Sequence, residues 1–225
     1  MNGPIAIVGF VELDRAVKEA KAAGGELWAF NDVSTKHGRT SEYSLWFELH
    51  KFEKLGDEVS DYAELKCPIY MVDRHPQIPT SLPYPKRAIL EYFGVRYFTN
   101  SVSWMLALAI YQKRSAISLF GVDMAMTLNE GPDEIGEQRP SIEFFLGWAK
   151  GAGIEVVIPE WSDLLKTDVL YGFEDHADSP RLKARIRAEQ MRKYAAKYEK
   201  EAAYYRGAAS AYEATARTWE LTDES

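Results

Sequence analysis

The stretch YFTNSVSWMLALAIYQKRSAISLFGVDM, residues 97–124, is the part of the sequence that decides the fold. Its first half carries apolar residues at the spacing of one helical stripe, namely Val102, Met105, Leu106, Ala109 and Ile110. Two cations, Lys113 and Arg114, suit the end of that helix, and residues 117–120 then form an apolar run typical of a buried strand. A helix that leads straight into a buried strand predicts an α/β sheet.

The two ends of this stretch carry candidate nucleotide contacts. Thr99, Asn100 and Ser101 are residue types whose side chains accept hydrogen bonds from backbone N–H groups at a helix N-terminus. The N-terminus of a helix also attracts phosphate. Gly121 and Asp123 follow the strand, at the edge where open α/β sheets bind ligands. At that edge Asp123 either takes the hydroxyls of a ribose or caps the next turn.

Apolar runs and helical patterns alternate along the rest of the first 178 residues. The runs that predict strands are residues 5–9, 26–30, 45–49, 68–72 and 154–158. The prolines of residues 74–85 predict an extended wall or lid without regular structure, and Pro140 is placed for the first turn of a helix. The alternation predicts a doubly wound, mainly parallel, Rossmann-like sheet over residues 1–178.

Residues 179–225 predict a long helical extension. Large residues recur there every seven positions, and an alanine follows each of the first four by four: Met191, Tyr198, Tyr205, Tyr212 and Trp219, with Ala195, Ala202, Ala209 and Ala216. This repeat is typical of a coiled-coil seam and predicts a homo-oligomer, unless the helix packs on its own domain. The basic first part, residues 181–193, is either a solvated face or a polyanion contact.

Composition bounds the class of protein. The chain has 225 residues, of which 46% are hydrophobic, enough for one full core and an appendage. Neither a signal peptide nor a run of roughly 20 apolar residues is evident, so a cytoplasmic protein without a membrane partner is expected, in the host cytoplasm if a phage encodes it. The single cysteine, Cys67, excludes an internal disulfide, and a net charge of −7 argues against a nucleic-acid surface over the whole molecule.

No strong catalytic signature is present, because the sequence lacks GxxxxGK[ST], GxSxG, HExxH and CxxC patterns. The first strand is followed by one glycine, Gly9, where a dinucleotide site has three, so NAD binding is not expected. Gly9 is nonetheless a candidate contact for another nucleotide.

Two clusters carry candidate catalytic residues. His50 ends a strand two residues after Glu48, and the two are either an acid/base pair or structural. The segment EIGEQR, residues 134–139, precedes a predicted helix and contains three candidates: Glu137 as general base, Arg139 as bidentate phosphate donor and Gln138 as nucleotide contact. The plainer interpretation of this segment is a helix-start acid and a solvated arginine.

The order of several short motifs resembles a known family. A first strand ending at Gly9, Asn31 after the second strand, TNSVSWMLALAI at residues 99–110 and LFGVDM at residues 119–124 resemble the single-domain bacterial sialyltransferases. The relatives of that family include motility accessory factors and 6-hydroxymethylpterin diphosphokinase-like proteins. The segments WFELH, YFTNS, GVDM and EQRPS are also similar to a set of uncharacterised phage proteins with WFELH, YFTSS, GVDM and QRP motifs. The resemblance covers roughly residues 5–171 and leaves out the helical tail.

The resemblance implies a nucleotide-sugar fold without a metal. In the sialyltransferases the matched positions surround the cytidine nucleotide, and in this chain they are Asn31, Thr99, Ser101, Gly121 and Asp123. The chain departs from the family at two places. The Gly-Pro-Ser expected after the first strand is Phe10-Val11-Glu12, and Glu137 would have to replace the family's catalytic histidine.

The function expected from the sequence is metal-independent, inverting transfer of a sugar from a nucleotide donor to an acceptor hydroxyl, for instance on a modified DNA base. Glu137 would be the base, Arg139 would stabilise the departing phosphate, and Glu48 with His50 would be the reserve acid/base pair. Two alternatives stay open. One is diphosphate transfer to a pterin-type alcohol, with Mg²⁺ held by carboxylates: Asp123, Glu130 and Asp133. The other is a non-enzymatic nucleotide-binding or assembly module that works through the helical tail.

Overall fold

The structure is a computed structural model of the chain. It describes residues 2–33, 38–122, 124, 132–166 and 180–220, without the side chains of residues 132–137 and of parts of the last helix. The chain divides into two compact units, Met1–Lys166 and Thr167–Ser225.

One parallel sheet organises the first unit. Its strands are β1 (Ile5–Val8), β2 (Glu26–Phe30), β3 (Leu45–Glu48), β4 (Ile69–Met71), β5 (Ser81–Pro83), β6 (Ala116–Phe120) and β7 (Glu155–Val157). They lie in the order β5-β4-β3-β2-β1-β6-β7, and every neighbouring pair is parallel. The chain builds outward from β1 to β5 and then returns to the other side of β1 with β6. The α/β fold with a Rossmann-like parallel sheet and a C-terminal helix, predicted from the sequence, is confirmed.

Helices cover both faces of this sheet. They are α1 (Leu13–Ala23), α2 (Val59–Ala63), α3 (Lys86–Phe93), α4 (Ser101–Tyr111) and α5 (Pro132–Gly151). Ile5 and Ile7 of β1 belong to the core that contains α3, α4 and α5, whereas Ala6 and Val8 belong to the core that contains α1 and α2. This alternation follows from the two-residue period of a strand, and a parallel sheet covered on both sides is apolar on both.

Helix α4 is the central helix of one face. The sequence predicted a single apolar stripe, but Val102, Ser103 and residues 105–110 are all buried. The reason is that α3 and α5 both pack against α4 and cover the sides expected to face solvent. Asn100 caps the helix, since its side chain accepts the Ser103 N–H at 2.8 Å.

One strand lies where the sequence predicted no regular structure, and a helix follows it. Strand β5 is part of the proline-rich stretch, and Pro83 is tolerated in it because β5 is the edge strand of the sheet. Helix α3 follows at once, with Ile89 and Phe93 buried, and ends at Gly94 in the left-handed conformation at φ 66°. The expected wall or lid over residues 74–85 is therefore corrected to an edge strand that leads into a helix.

Helix α5 begins earlier than the sequence predicted. Pro140 was expected in its first turn, but the helix begins at Pro132 and Pro140 lies inside it. A proline in a helix lacks the N–H that would bond the carbonyl four residues earlier, so the helix has a break in its hydrogen-bond pattern at this point. The carbonyl of Gln138, close to the break, accepts the Ser141 hydroxyl at 3.0 Å.

The second unit contains α6 (Pro180–Glu220), the helical extension that the sequence predicts. Three tyrosines of its seven-residue repeat are exposed: Tyr198 by 63%, Tyr205 by 64% and Tyr212 by 77%. Across the part of the chain that the structure describes, no helix has the length and apolar character needed to cross a membrane.

Candidate active site

The carboxyl ends of β1 and β6 meet where the strand order reverses, which is where sheets of this kind bind ligands. Gly9 and Gly121, both predicted nucleotide contacts, lie against each other there, and a Cβ on Gly9 would lie 2.1 Å from the Gly121 carbonyl oxygen. The Gly9 N–H donates to the Phe120 carbonyl at 2.8 Å, and the Val11 N–H donates to the Gly121 carbonyl at 3.1 Å. Close packing of the two loops therefore already requires a glycine at position 9. The hydrogen bonds between the loops also occupy the N–H groups of Gly9 and Val11, which a phosphate-binding loop would offer to its ligand.

Asn31 and Ser101 join the end of β2 to the start of α4. The Ser101 hydroxyl donates to Asn31 Oδ1 at 3.0 Å, and Trp46 Nε1 donates to the Asn31 carbonyl at 3.1 Å. Asn31 has a φ of 48°, a left-handed conformation that asparagine adopts more readily than most residues. The asparagine predicted after the second strand and the serine predicted at the helix start thus lie together.

Further contacts extend this cluster to α5. Thr99 Oγ1 lies 2.7 Å from Ser141 Oγ. Asn100 Nδ2 donates to the Gln138 carbonyl at 3.0 Å and to Ser141 Oγ at 3.1 Å. Three more predicted nucleotide contacts, Thr99, Asn100 and Gln138, are therefore neighbours. Ser141, which links them, was missed by the sequence analysis, although it is the last residue of the EQRPS motif.

Glu48 and His50 form a hydrogen-bonded pair at the end of β3. Glu48 Oε1 lies 2.7 Å from His50 Nδ1 and accepts the His50 backbone N–H at 2.9 Å. Glu48 is 1% exposed, whereas the His50 side chain is 54% exposed. A buried carboxylate that accepts Nδ1–H leaves Nε2 as the ring atom available for proton transfer, which is the arrangement of a general base.

Tyr62 holds the other oxygen of Glu48 and was also missed by the sequence analysis. Its hydroxyl donates to Glu48 Oε2 at 2.6 Å. Burial raises the pKa of Tyr62, and the Glu48 carboxylate raises it further, so the phenol keeps its proton and remains a donor. The sequence offered little indication of this role, because Tyr62 lies on the buried side of a five-residue helix and has the pattern of a core residue.

The surroundings of this pair are acidic. Burial raises the pKa of Glu58, and the carboxylates of Asp32, Glu48 and Asp61 raise it further, while His50 lowers it. Asp32, the residue after Asn31, thus influences the pKa of Glu58, as Glu48 and His50 also do. The ends of β2 and β3 therefore contribute polar and charged groups to one edge of the sheet.

Arg139 donates hydrogen bonds to two parts of the first unit. Its Nε donates to Glu143 at 2.9 Å, and its Nη2 donates to the carbonyls of Asp163 at 2.8 Å and Lys166 at 3.0 Å. These bonds join α5 to the segment after β7, and phosphate binding by Arg139 stays a prediction. The Glu137 side chain and Asp123, the predicted base and ribose contact, lie outside the described residues.

Among the residues that the structure describes, no group of three or more His, Cys, Asp or Glu side chains is arranged to hold a metal ion. Comparisons with protein-family models, with curated proteins and with solved structures found no match to this chain.

Proposed function

We propose that the first unit is a transferase that binds a nucleotide-activated sugar at the carboxyl edge of the sheet and passes the sugar to an acceptor hydroxyl. The Glu48–His50 pair carries this proposal. A buried carboxylate bonded to a half-exposed imidazole is an acid/base device, and here it lies at the edge where such sheets bind ligands.

The pair is suited to activate the acceptor. A hydroxyl is a weak nucleophile until a base removes its proton, and His50 Nε2 takes that proton as the oxygen attacks the anomeric carbon. The Glu48 carboxylate, 2.7 Å from Nδ1, stabilises the imidazolium that forms. The bond between the anomeric carbon and the phosphate oxygen breaks, and its electron pair leaves with the nucleotide. A single displacement of this kind inverts the anomeric centre.

The start of α4 is suited to hold the nucleotide. The first N–H groups of a helix have no acceptor within the helix, and Asn100 takes the one at Ser103. The remaining first-turn N–H groups and the helix dipole favour the negative charge that develops on the leaving phosphate. In this proposal Asn31, Thr99 and Ser101 contact the nucleotide, and the predicted contact of Asp123 with the ribose is kept.

A ligand screen tests the binding half of the proposal. The full chain would be screened by thermal shift against nucleoside mono- and diphosphates and their sugar derivatives. A ligand at 100 times its Kd stabilises the folded state by about 2.7 kcal/mol, which gives a clear rise in Tm. Absence of any nucleotide-dependent shift would contradict the proposal and favour a non-enzymatic assembly module that works through the helical tail.

Substitution of His50 tests the chemical half, with release of free nucleotide from the bound donor as the assay. His50→Gln should lower turnover by about 10²–10⁴-fold while donor affinity is unchanged. His75→Gln is the matched control, because His75 also follows a strand but stacks on Phe52 at 4.0 Å between ring centroids. Full turnover in His50→Gln would move the base role to Glu137, and a strict Mg²⁺ requirement would favour diphosphate transfer.

Helix α6 supplies a second proposal, self-association of the chain. Its exposed tyrosines form one ridge at seven-residue spacing, and each aromatic side chain can bury about 150–250 Å². An apolar ridge of this length is stabilised when a second surface covers it. Sedimentation of the full chain at tens of micromolar should show a dimer or a larger species, and a monomer would contradict the proposal.

A further inference from the structure

We propose that two copies of α6 pair antiparallel in one register, with Ala195, Ala202 and Ala209 each against a tyrosine of the second copy. This inference rests on the self-association proposed for α6 and is independent of the chemistry proposed at the sheet edge.

The seven-residue repeat decides which side chains meet. With the large residues at position d of the heptad, Met191, Tyr198, Tyr205 and Tyr212 occupy d, and Ala195, Ala202 and Ala209 occupy a. All seven side chains are exposed on α6. A strict seven-residue repeat keeps such a seam turned toward a partner helix as the two supercoil.

Side-chain size favours the antiparallel orientation. In a parallel pair each layer brings identical positions together, so tyrosine meets tyrosine and alanine meets alanine. In an antiparallel pair each layer combines position a of one helix with position d of the other. Ala202 then lies against Tyr205 of the second copy, and Ala195 lies against Tyr212. Every layer holds one small and one large side chain, which close packing favours.

The charges beside the seam select one register. Position e holds Arg192, Glu199, Arg206 and Glu213, all of them exposed. A two-fold axis perpendicular to the helices puts position e of one copy beside position e of the other. With Ala202 against Tyr205, Arg192 meets Glu213 and Glu199 meets Arg206. Each of these contacts between positions e is then between opposite charges, and such contacts set orientation in coiled coils.

A slip by one heptad destroys this match in either direction. One slip places Glu199 against Glu199 of the second copy and Arg192 against Arg206. The other places Arg206 against Arg206 and Glu199 against Glu213. Like charges are unfavourable in both cases. One heptad further out at each end of the helix, position e holds Arg185 and Glu220, which form a further opposite pair in the proposed register.

The seam is large enough for a stable dimer. Three exposed tyrosines from each copy contribute on the order of 900–1,500 Å² of buried surface if each buries the usual aromatic area. A specific interface needs about 1,000 Å² or more. The tyrosines therefore supply most or all of that area, and the alanines and the aliphatic parts of the neighbouring side chains add to it.

Charge exchange in the full chain tests the register. Arg192→Glu and Glu213→Arg each turn two symmetry-related attractions into repulsions, and each should raise the dimer Kd by about tenfold. The double variant should return to the wild-type Kd. Residues 192 and 213 are about 31 Å apart along one helix, so this recovery requires contact between two copies. Additive losses in the double variant would overturn the register.

Cysteine pairs test the orientation, in full chains that carry Cys67→Ser because Cys67 is the single native cysteine. A mixture of Ala195→Cys and Tyr212→Cys chains should form an intermolecular disulfide under mild oxidation, and Ala195→Cys alone should not. A disulfide from Ala195→Cys alone indicates a parallel pair, and one between Ala195→Cys and Tyr205→Cys chains indicates a slipped pair. Either result overturns this inference while self-association stands, whereas a monomeric full chain overturns both.

Discussion

The Oε1 atom of Glu48 lies 2.7 Å from Nδ1 of His50, and the second oxygen of the same carboxylate accepts the Tyr62 hydroxyl at 2.6 Å. With both oxygens bonded and Glu48 buried, the His50 ring is held in one orientation, and the acceptor on Nδ1 sets its tautomer. The pair lies two strands from the point where the strand order reverses. One edge of the sheet thus offers both a proton acceptor and the proposed nucleotide contacts.

Glu48→Gln should lower turnover by at least about 10²-fold. The amide preserves the size of the side chain but removes the negative charge that stabilises the imidazolium. Nitrogen NMR of the ring should show the neutral His50 of the wild type protonated on Nδ1, a readout that needs no substrate. Glu91→Gln, an exposed carboxylate paired with Arg87, is the control and should keep full turnover. A neutral wild-type ring protonated on Nε2 would contradict the role of Glu48.

Asn31→Asp should weaken nucleotide binding about tenfold or more with little change in Tm. Aspartate tolerates the left-handed backbone at φ 48° and still accepts the Ser101 hydroxyl, but it offers no N–H to the ligand and repels phosphate. Titration calorimetry measures the affinity. Asn2→Asp is the matched control, because Asn2 donates to the Gln112 carbonyl close to the other end of the strands. Equal affinities for wild type and Asn31→Asp would remove Asn31 from the site.

Gly9→Ala should lower the free energy of unfolding by about 3 kcal/mol or more. The new Cβ would lie 2.1 Å from the Gly121 carbonyl oxygen, and that backbone is fixed by the Val11 N–H. Gly147→Ala is the control, since a Cβ there meets nothing within 4 Å and alanine stabilises a helix interior by about 0.5–1 kcal/mol. Urea unfolding measures both variants. Similar stability in the two would mean that the loops of β1 and β6 are not in contact.

Glu26 should make stability depend on pH below neutrality. The bidentate hydrogen bonds from Arg114, at 2.7 and 3.0 Å, lower the pKa of Glu26 below its ordinary value of 4.5, against the opposing effect of burial. Because the folded pKa lies below the unfolded one, this stabilisation is complete above about pH 5 and is lost as the pH falls through the folded pKa. Since Glu26 is 44% exposed, Glu26→Gln should cost only about 1 kcal/mol at pH 7.

Urea unfolding from pH 7 to pH 3 checks this, because the difference in free energy of unfolding between wild type and Glu26→Gln should shrink as the pH falls. A difference that stays constant over that range would mean that the loss comes from packing rather than from charge.

The strands of the sheet were predictable because the sequence patterns that indicate them are local. Apolar runs predicted every strand except β5, and Asn100 is a helix cap of the expected type. Strand β5 was missed because prolines usually exclude strands, and only its place at the sheet edge permits Pro83. The early start of α5 was missed for a related reason, since Pro140 lies inside a helix rather than at its beginning.

The site was predictable in its residue types but not in its pairings. Asn31 and Ser101 were both expected to contact a nucleotide, yet their hydrogen bond joins residues 70 positions apart, which no local pattern reveals. The bond from Tyr62 to Glu48 depends likewise on how α2 packs against the sheet. At Gly9 the structure adds a contact that the sequence did not predict, between the loops after β1 and β6, and the ligand contact of Gly9 stays a prediction.

Truncation after Asp178 should give a folded monomer, whereas the full chain should sediment as a dimer or larger. Both hydrophobic cores and the whole sheet lie within Met1–Lys166, so removal of α6 takes no described core residue away. Urea unfolding at a protein concentration low enough to dissociate the full chain should give the same free energy for both chains. If the truncated chain is less stable by more than about 1 kcal/mol, the tyrosine ridge packs on its own domain and is not free to pair with a second copy.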